Sequence, residues 1–362
     1  MIISLSNAHK HHHKPYYKQQ HKQKGVALIT VMLIVALCAV IASQMTARLQ
    51  VQMQRSANVS FNQQAYWYAM GAEAFTKRAL IKIFKKDDDV THLGQAWAGG
   101  ENTYPVDFGE ISGEITDLQS CLNLNALRAP FDDSKSGNGN GNSGNNRNKG
   151  NKSKKVPARL AFEALLINLQ LEDVSQFEAE AMADALTDWV DADSRISSSG
   201  GAESSDYASR EFPYLAANHY LASINELRVI EHFTPTIINA IKPYVCVIPA
   251  SDKHEININT INVEHVELLQ ALLDSTLEEA QDILSARGEK GFSTVDKFYN
   301  IPEVVQLKNF NDKKEQFVVD SEYFTLKANA SFNDSFFAMS SVMKVTDNKY
   351  IDVISRTVGR NE

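Results

Sequence analysis

The densest set of ligand-type side chains in this sequence is Asp188-Trp189-Val190-Asp191-Ala192-Asp193, followed across a serine and glycine loop by Glu203 and Asp206. Between Glu172 and Glu211 stand eleven carboxylates and two cations, Arg195 and Arg210. Carboxylates crowded at a helix end and a loop repel one another unless a hard cation neutralises them, and oxygen-only ligation suits calcium. The spacing is not that of an EF-hand: with Asp191 as first ligand, Arg195 takes the fifth position and Ala202 the twelfth, where a carboxylate is needed. Taken alone, the run reads more readily as a solvated acidic face. Catalytic patterns are absent from the sequence. There is no His-Glu-x-x-His, no Gly-x-Ser-x-Gly and no phosphate-cradling glycine loop, and His219, His232, His254 and His265 are scattered.

The elements that would hold this cluster read as helices. Residues 158–169 and 177–190 have helical apolar spacing, so the carboxylates fall at the end of the second. Ser223-Ile224-Asn225-Glu226 and Thr276-Leu277-Glu278-Glu279 are capping-box patterns, and Asn259-Thr260 caps the run 263–273. Ile256-Asn257-Ile258-Asn259-Thr260-Ile261 echoes Leu122-Asn123-Leu124-Asn125-Ala126-Leu127. With the helices after it, the second copy resembles a helix-hairpin-helix module, which grips nucleic-acid backbone through a glycine hairpin. The hairpin here, residues 272–276, has no glycine and carries Asp274, which repels phosphate. These units read as a packing scaffold, and no nucleic acid is expected.

The N-terminus decides the class. Five lysines precede Gly25, and from Val26 to Ala47 no charge interrupts an apolar run that as a helix rises about 33 Å, enough to cross a bilayer. The excess of lysine before the run puts the N-terminus in the cytoplasm and everything after Ala47 outside. A basic leader ending in glycine, followed at once by an apolar helix, resembles the type IV pilin and pseudopilin superfamily. That resemblance implies cleavage between Gly25 and Val26 by a prepilin peptidase, then methylation of the Val26 amine. The family's usual glutamate at the fifth mature position is Thr30 here, a departure shared with the type II secretion minor pseudopilin K family, whose members are unusually large. The resemblance implies calcium in the loop after the Asp-Trp-x-Asp-x-Asp run, with Asp188, Asp191, Asp193, Glu203, Asp206 and Asn218 as ligands. It also implies a place at the pseudopilus tip with minor pseudopilins I and J, above the pseudopilus shaft and the inner-membrane assembly platform.

The rest of the chain fits that frame. A helix is expected from Val26 to about Lys86, with a packing stripe at Leu49, Met53, Ala57, Phe61, Ala65, Tyr68, Ala72, Phe75 and Ala79. Residues 106–125 alternate as strands, and residues 324–358 form a meander with turns at Asn333-Asp334 and Asp347-Asn348. The expected fold is α+β: a pilin-like long N-terminal helix packed on an antiparallel sheet, with a large all-helical domain inserted. In order, the chain comprises a leader over 1–25, a transmembrane half-helix over 26–47, a first pseudopilin part over 48–125, helices over 126–316 and C-terminal strands over 317–362. Residues 133–155 lack apolar side chains and read as a disordered loop within the insert. Cys121 and Cys246 fall on the oxidising side and are expected to pair, the alternative being two buried thiols. Localisation is then single-pass in the inner membrane with a periplasmic globular part. Two other readings remain open: an anchored DNA receptor of the competence type, and a plain anchored protein that keeps its leader.

Overall fold

The computed structural model describes residues 25–86, 90–128, 156–308, 310–346 and 350–359. The expectations for the rest of the leader, the loop 133–155 and the turn at Asp347-Asn348 lie outside them. The chain divides into two compact units, residues 1–60 and 61–362.

In the first unit helix α1 (Val26–Phe84) begins at the residue after Gly25. Every residue from Val26 to Gln50 is exposed, so a long apolar surface has no protein cover. Such a surface is stable facing lipid rather than water. Thr30 sits within it, and its hydroxyl donates to the Ala27 carbonyl at 2.9 Å, which satisfies the group without a partner outside the helix.

In the second unit, residues 61–84 of α1 lie on a sheet. The buried row is Ala65, Ala69, Glu73, Thr76, Leu80 and Phe84. The expected stripe therefore fails beyond Ala65: Phe75 is exposed, and Tyr68, Ala72 and Ala79 are only half-buried. The displaced row contains an acid, which apolar periodicity cannot see. Arg356 donates through Nε and Nη2 to the two Glu73 carboxylate oxygens at 2.7 and 2.8 Å, and Ser341 Oγ donates at 2.7 Å. The Arg356 hydrogen bonds hold the Glu73 carboxyl below its usual range against the opposing effect of burial.

Strands β1 (Asn102–Val106) and β2 (Gly109–Asp117) form a hairpin, as expected of this region but starting earlier. After β2 the chain leaves the sheet. It builds β3 (Leu122–Asn123), α2 (Pro157–Asn168), α3 (Gln176–Val190), α4 (Ser204–Ala208), α5 (Pro235–Ile241) and β4 (Val245–Cys246). Then come β5 (Ile256–Asn257), α6 (Val266–Leu273), α7 (Leu277–Ala286), α8 (Val295–Tyr299), α9 (Pro302–Val305) and β6 (Phe317–Val318). It returns as β7 (Tyr323–Phe332), β8 (Ser335–Val345) and β9 (Ile351–Val358). The main sheet runs β1-β2-β7-β8-β9, antiparallel throughout, so the helices are an insertion between neighbouring strands β2 and β7. Phe84 and Trp97 close its apolar face around Phe324, with ring centroids at 5.1 and 5.4 Å.

The insert is two variations on one plan. β3 pairs in parallel with β4, and β5 with β6. In each half the first asparagine of the Asn-x-Asn echo accepts from the backbone of the second, Asn123 from Asn125 N and Asn257 from Asn259 N. The second asparagine grips a distant residue by both backbone groups. Asn125 accepts from Leu221 N and donates to Leu221 O; Asn259 does the same with Phe292. Leu221 precedes a Ser223 cap and Phe292 a Thr294 cap. The halves share one apolar core that includes Leu122, Phe162, Leu186, Ile258, Leu269 and Phe298. At the tip of α6, Asp274 takes the left-handed conformation at φ 53° that a glycine would otherwise supply.

Sheet and insert meet at a polar junction. Asp117, at the end of β2, accepts from Thr260 Oγ1 at 2.5 Å, Ser321 Oγ at 2.6 Å and Gln119 N at 2.7 Å. Burial still pushes its carboxyl up to about 6. Cys121 and Cys246 are joined by a disulfide with Cα atoms 5.8 Å apart, tying the exit from the sheet to β4.

Replacing Arg356 with Met leaves Glu73 buried without its counter-ion. Thermal or urea unfolding is expected to show a loss of about 3 kcal/mol. Adding Glu73→Met should recover most of it, and a single variant as stable as the unsubstituted chain would show that the pair does not fasten β9 to the helix.

Candidate functional site

The carboxylate cluster hangs between the end of α3 and the loop that returns to Leu221. A capping box at Ser175 and Glu178 starts α3, and its last turn delivers Asp188 into the interior, fully buried. Asp188 Oδ1 accepts from Ser197 N at 3.0 Å, while Oδ2 has no partner. Beyond the helix end Asp191 turns the chain, accepting from Asp193 N at 3.2 Å, and Asp193 in turn accepts from Arg195 N at 2.9 Å. Gly200-Gly201 then brings the loop back against α3. A Cβ on Gly201 would overlap the Asp188 carboxylate, and one on Gly200 would overlap the Ala181 backbone. That close return places Glu203 beside the aspartates.

Oxygens of Asp191, Asp193 and Glu203 lie within 4.8 Å of one another. Glu203 is 2% exposed; its Oε2 accepts from Ser204 N, and its Oε1 is buried without a partner. Asn218 holds a left-handed conformation at φ 45°. Its Nδ2 donates to Asp193 O at 2.7 Å and to Ser194 Oγ at 3.2 Å, leaving Oδ1 buried and unpartnered. Asp206 is occupied otherwise, since its Oδ2 accepts from Glu203 N at 2.9 Å as the reciprocal half of the α4 cap. Asp188, Asp191, Asp193, Glu203 and Asn218 therefore gather around one loop, and Asp206 shapes it. Asp193 also pairs with Arg195 at 3.3 Å, an exposed pair that a competing cation could displace at little cost.

The electrostatics agree with a cation-seeking site. Burial pushes the Asp188 carboxyl up to about 6, and burial also raises Asp191 and Glu203, with the neighbouring aspartates adding to the shift on Glu203. Three buried oxygens without donors, all anionic or carbonyl-like, are what a hard divalent ion satisfies and what water-free packing penalises. The residues fit calcium. Arg159 pairs with Asp184, one turn further up α3, and with Glu163 of α2 at 2.9 Å. Sequence reasoning missed Gly200 as a close-packing residue; two adjacent glycines after a run of serines were the available signal.

At the other candidate site, Gly25 is exposed at φ 125° with open space around it, and α1 starts at Val26. Gly25 and Val26 are both exposed.

Two models, each described as type II secretion system protein K, match residues 120–250 and 256–320. The two matches correspond to the two halves of the insert. A type II secretion system protein K from Aeromonas hydrophila is 38% identical over 328 residues, covering 90% of this chain and 94% of that protein. This chain belongs to the type II secretion system protein K family. The homologue from Klebsiella pneumoniae is 32% identical and covers 92% of the chain. Among solved structures, the GspK-GspI-GspJ complex from the enterotoxigenic Escherichia coli type 2 secretion system matches at a TM-score of 0.71 and 29% identity, over 86% of this chain and 100% of the matched one. Like other protein K members it is a minor pseudopilin, a structural component of the secretion machinery, and among the described residues one helix, α1, is long and apolar enough to cross a membrane, consistent with a single-pass anchor. The competence-type DNA reading gains no support from these matches.

In calcium-free buffer the raised carboxylates give stability a definite slope. Asp188 binds its proton more tightly in the folded chain than in the unfolded one, whose pKa is about 3.9. Its favourable contribution is complete below pH about 4 and is lost as pH rises through about 6. Asp188→Asn removes that loss. Melting curves from pH 4 to pH 7.5 with EGTA should show the variant gaining on the unsubstituted chain by roughly 2–3 kcal/mol at the upper end. Parallel curves would refute it.

Proposed function

We propose that this protein K member caps the pseudopilus from the periplasmic side, in a complex with minor pseudopilins I and J, and helps to start pseudopilus assembly for export of folded proteins. The observation that carries this reading is the match, over the whole of the matched chain, to a protein solved together with GspI and GspJ. A subunit with nothing above it needs no acid in lipid to meet a neighbour's amine, and Thr30 avoids a desolvated carboxylate there. The inserted helices, bulky beside the sheet, favour the end of a filament over its shaft. On family grounds the chain is a structural subunit rather than an enzyme.

Processing follows the same reading. A prepilin peptidase would cut between Gly25 and Val26, the Val26 amine would be methylated, and the lysine-rich leader would stay in the cytoplasm. Calcium would be held by Asp188, Asp191, Asp193, Glu203 and the Asn218 carbonyl oxygen. When bound it supplies positive charge to buried oxygens that lack donors, and so couples loop order to metal.

Three measurements test this. Co-expression should recover the chain with tagged pseudopilins I and J from detergent extracts, and absence of both partners would sink the tip assignment. Intact-mass analysis should show a mature chain beginning at methylated Val26; an unprocessed Met1 would overturn the pilin route. Calcium should raise the melting temperature over EGTA more at pH 7.5 than at pH 5, because protons compete for Asp188, and Asp188→Asn should reduce the shift by more than half. No calcium shift at either pH would remove the metal from the account.

A further inference from the structure

The loop that closes the carboxylate cage carries a second feature on its outer side. Phe212 is 79% exposed and Leu215 67% exposed. The two stand three residues apart on one loop. Between them Tyr214 is anchored. Its ring stacks on Tyr207 with centroids at 5.2 Å, its hydroxyl donates to Val229 O at 2.6 Å, and Arg210 lies over both rings while pairing with Glu231. On the far side Ala216 N donates to Ser204 Oγ at 3.2 Å, fixing the loop to the cap that includes Glu203. Phe212 and Leu215 are thus displayed from a fixed backbone, which lowers the ordering entropy of binding.

The charge around this crest selects the occupant. Asp206 and Glu211 are exposed, and Arg210 is already paired with Glu231, whereas Asp193 is held by Arg195 and belongs to the cage. The rim is negative and would repel phosphate headgroups, which argues against an anionic lipid surface and for a cationic protein surface. We propose that Phe212 and Leu215 form a docking crest for a protein segment that presents apolar side chains between lysines or arginines. A few well-packed anchors, ringed by contacts that exclude water, carry most of the energy of protein interfaces. The crest depends on the tip assignment only for the partner being reachable from the periplasm.

The test uses the full chain in zwitterionic nanodiscs with calcium, empty nanodiscs as background, and two fluorescent twelve-residue peptides of about equal length and hydrophobicity, one alternating leucine with lysine and the other leucine with glutamate. Anisotropy should show the lysine peptide binding at least tenfold more tightly than the glutamate peptide. Phe212→Ser combined with Leu215→Ser should weaken the lysine peptide at least tenfold, while Val305→Ser, an exposed apolar position on α9, leaves it unchanged. Equal binding of the two peptides, or a double variant that binds as tightly as the unsubstituted chain, overturns the proposal. Recovery with pseudopilins I and J is a separate readout: its failure would count against the tip assignment and leave the peptide result standing.

Discussion

One buried carboxylate sets the relation between the two halves of the globular unit. Asp117 ends β2, where the chain must leave the sheet, and it binds Thr260 from the insert and Ser321 from the segment that re-enters the sheet. Around it Asn257 donates to Thr91 O and to Ser321 Oγ, and Gln119 accepts from Glu322 N through its side chain and from Asn257 N through its carbonyl. A charge taken out of water is tolerable only when its oxygens are fully occupied, so the position of each partner is dictated by the others. The sheet can host so large an insertion because exit and return are held to the same few polar atoms.

The insert, with its carboxylate cluster, is fastened to the sheet at that base. Repeating one plan twice gives a shared apolar core, and the paired asparagines replace longer sheets with hydrogen bonds to single backbone residues at Leu221 and Phe292. The first of those residues lies just past Asn218, so the grip that closes the first half also places the last oxygen of the cage. The carboxylate loop and the packing of the first half are therefore linked through a few residues.

The elements legible in the sequence were those whose signal is local. The apolar run marked α1, helical spacing marked α2 and α3, reciprocal Ser/Thr and Glu pairs marked the caps, and strict alternation marked β7 and β8. The acidic cluster was legible as composition, and its reading as a calcium site came from family resemblance rather than spacing. What stayed hidden depends on partners distant in sequence. The buried face of α1 was misplaced by one position because Glu73 is buried only by virtue of Arg356, 283 residues away. Asp206 was indistinguishable from its neighbours until the cap showed it bonded to Glu203 N. The Asn-x-Asn echo was visible, whereas the backbone grip that explains it was not.

Placing the insertion between adjacent strands also dictates an order of folding. Ser321 and Asp117, which must meet before β7 can lie beside β2, are 204 residues apart. Contacts that distant form late, because loop entropy must be overcome before they are rewarded, whereas α2 with α3 and α6 with α7 pack over short sequence separations. The chain should therefore form those helix pairs first and zip the five-stranded sheet last. Until then the inner edges of β2 and β7 remain unpaired, so the helical insert acts as an internal clamp that shortens the time those edges are open to stray pairing.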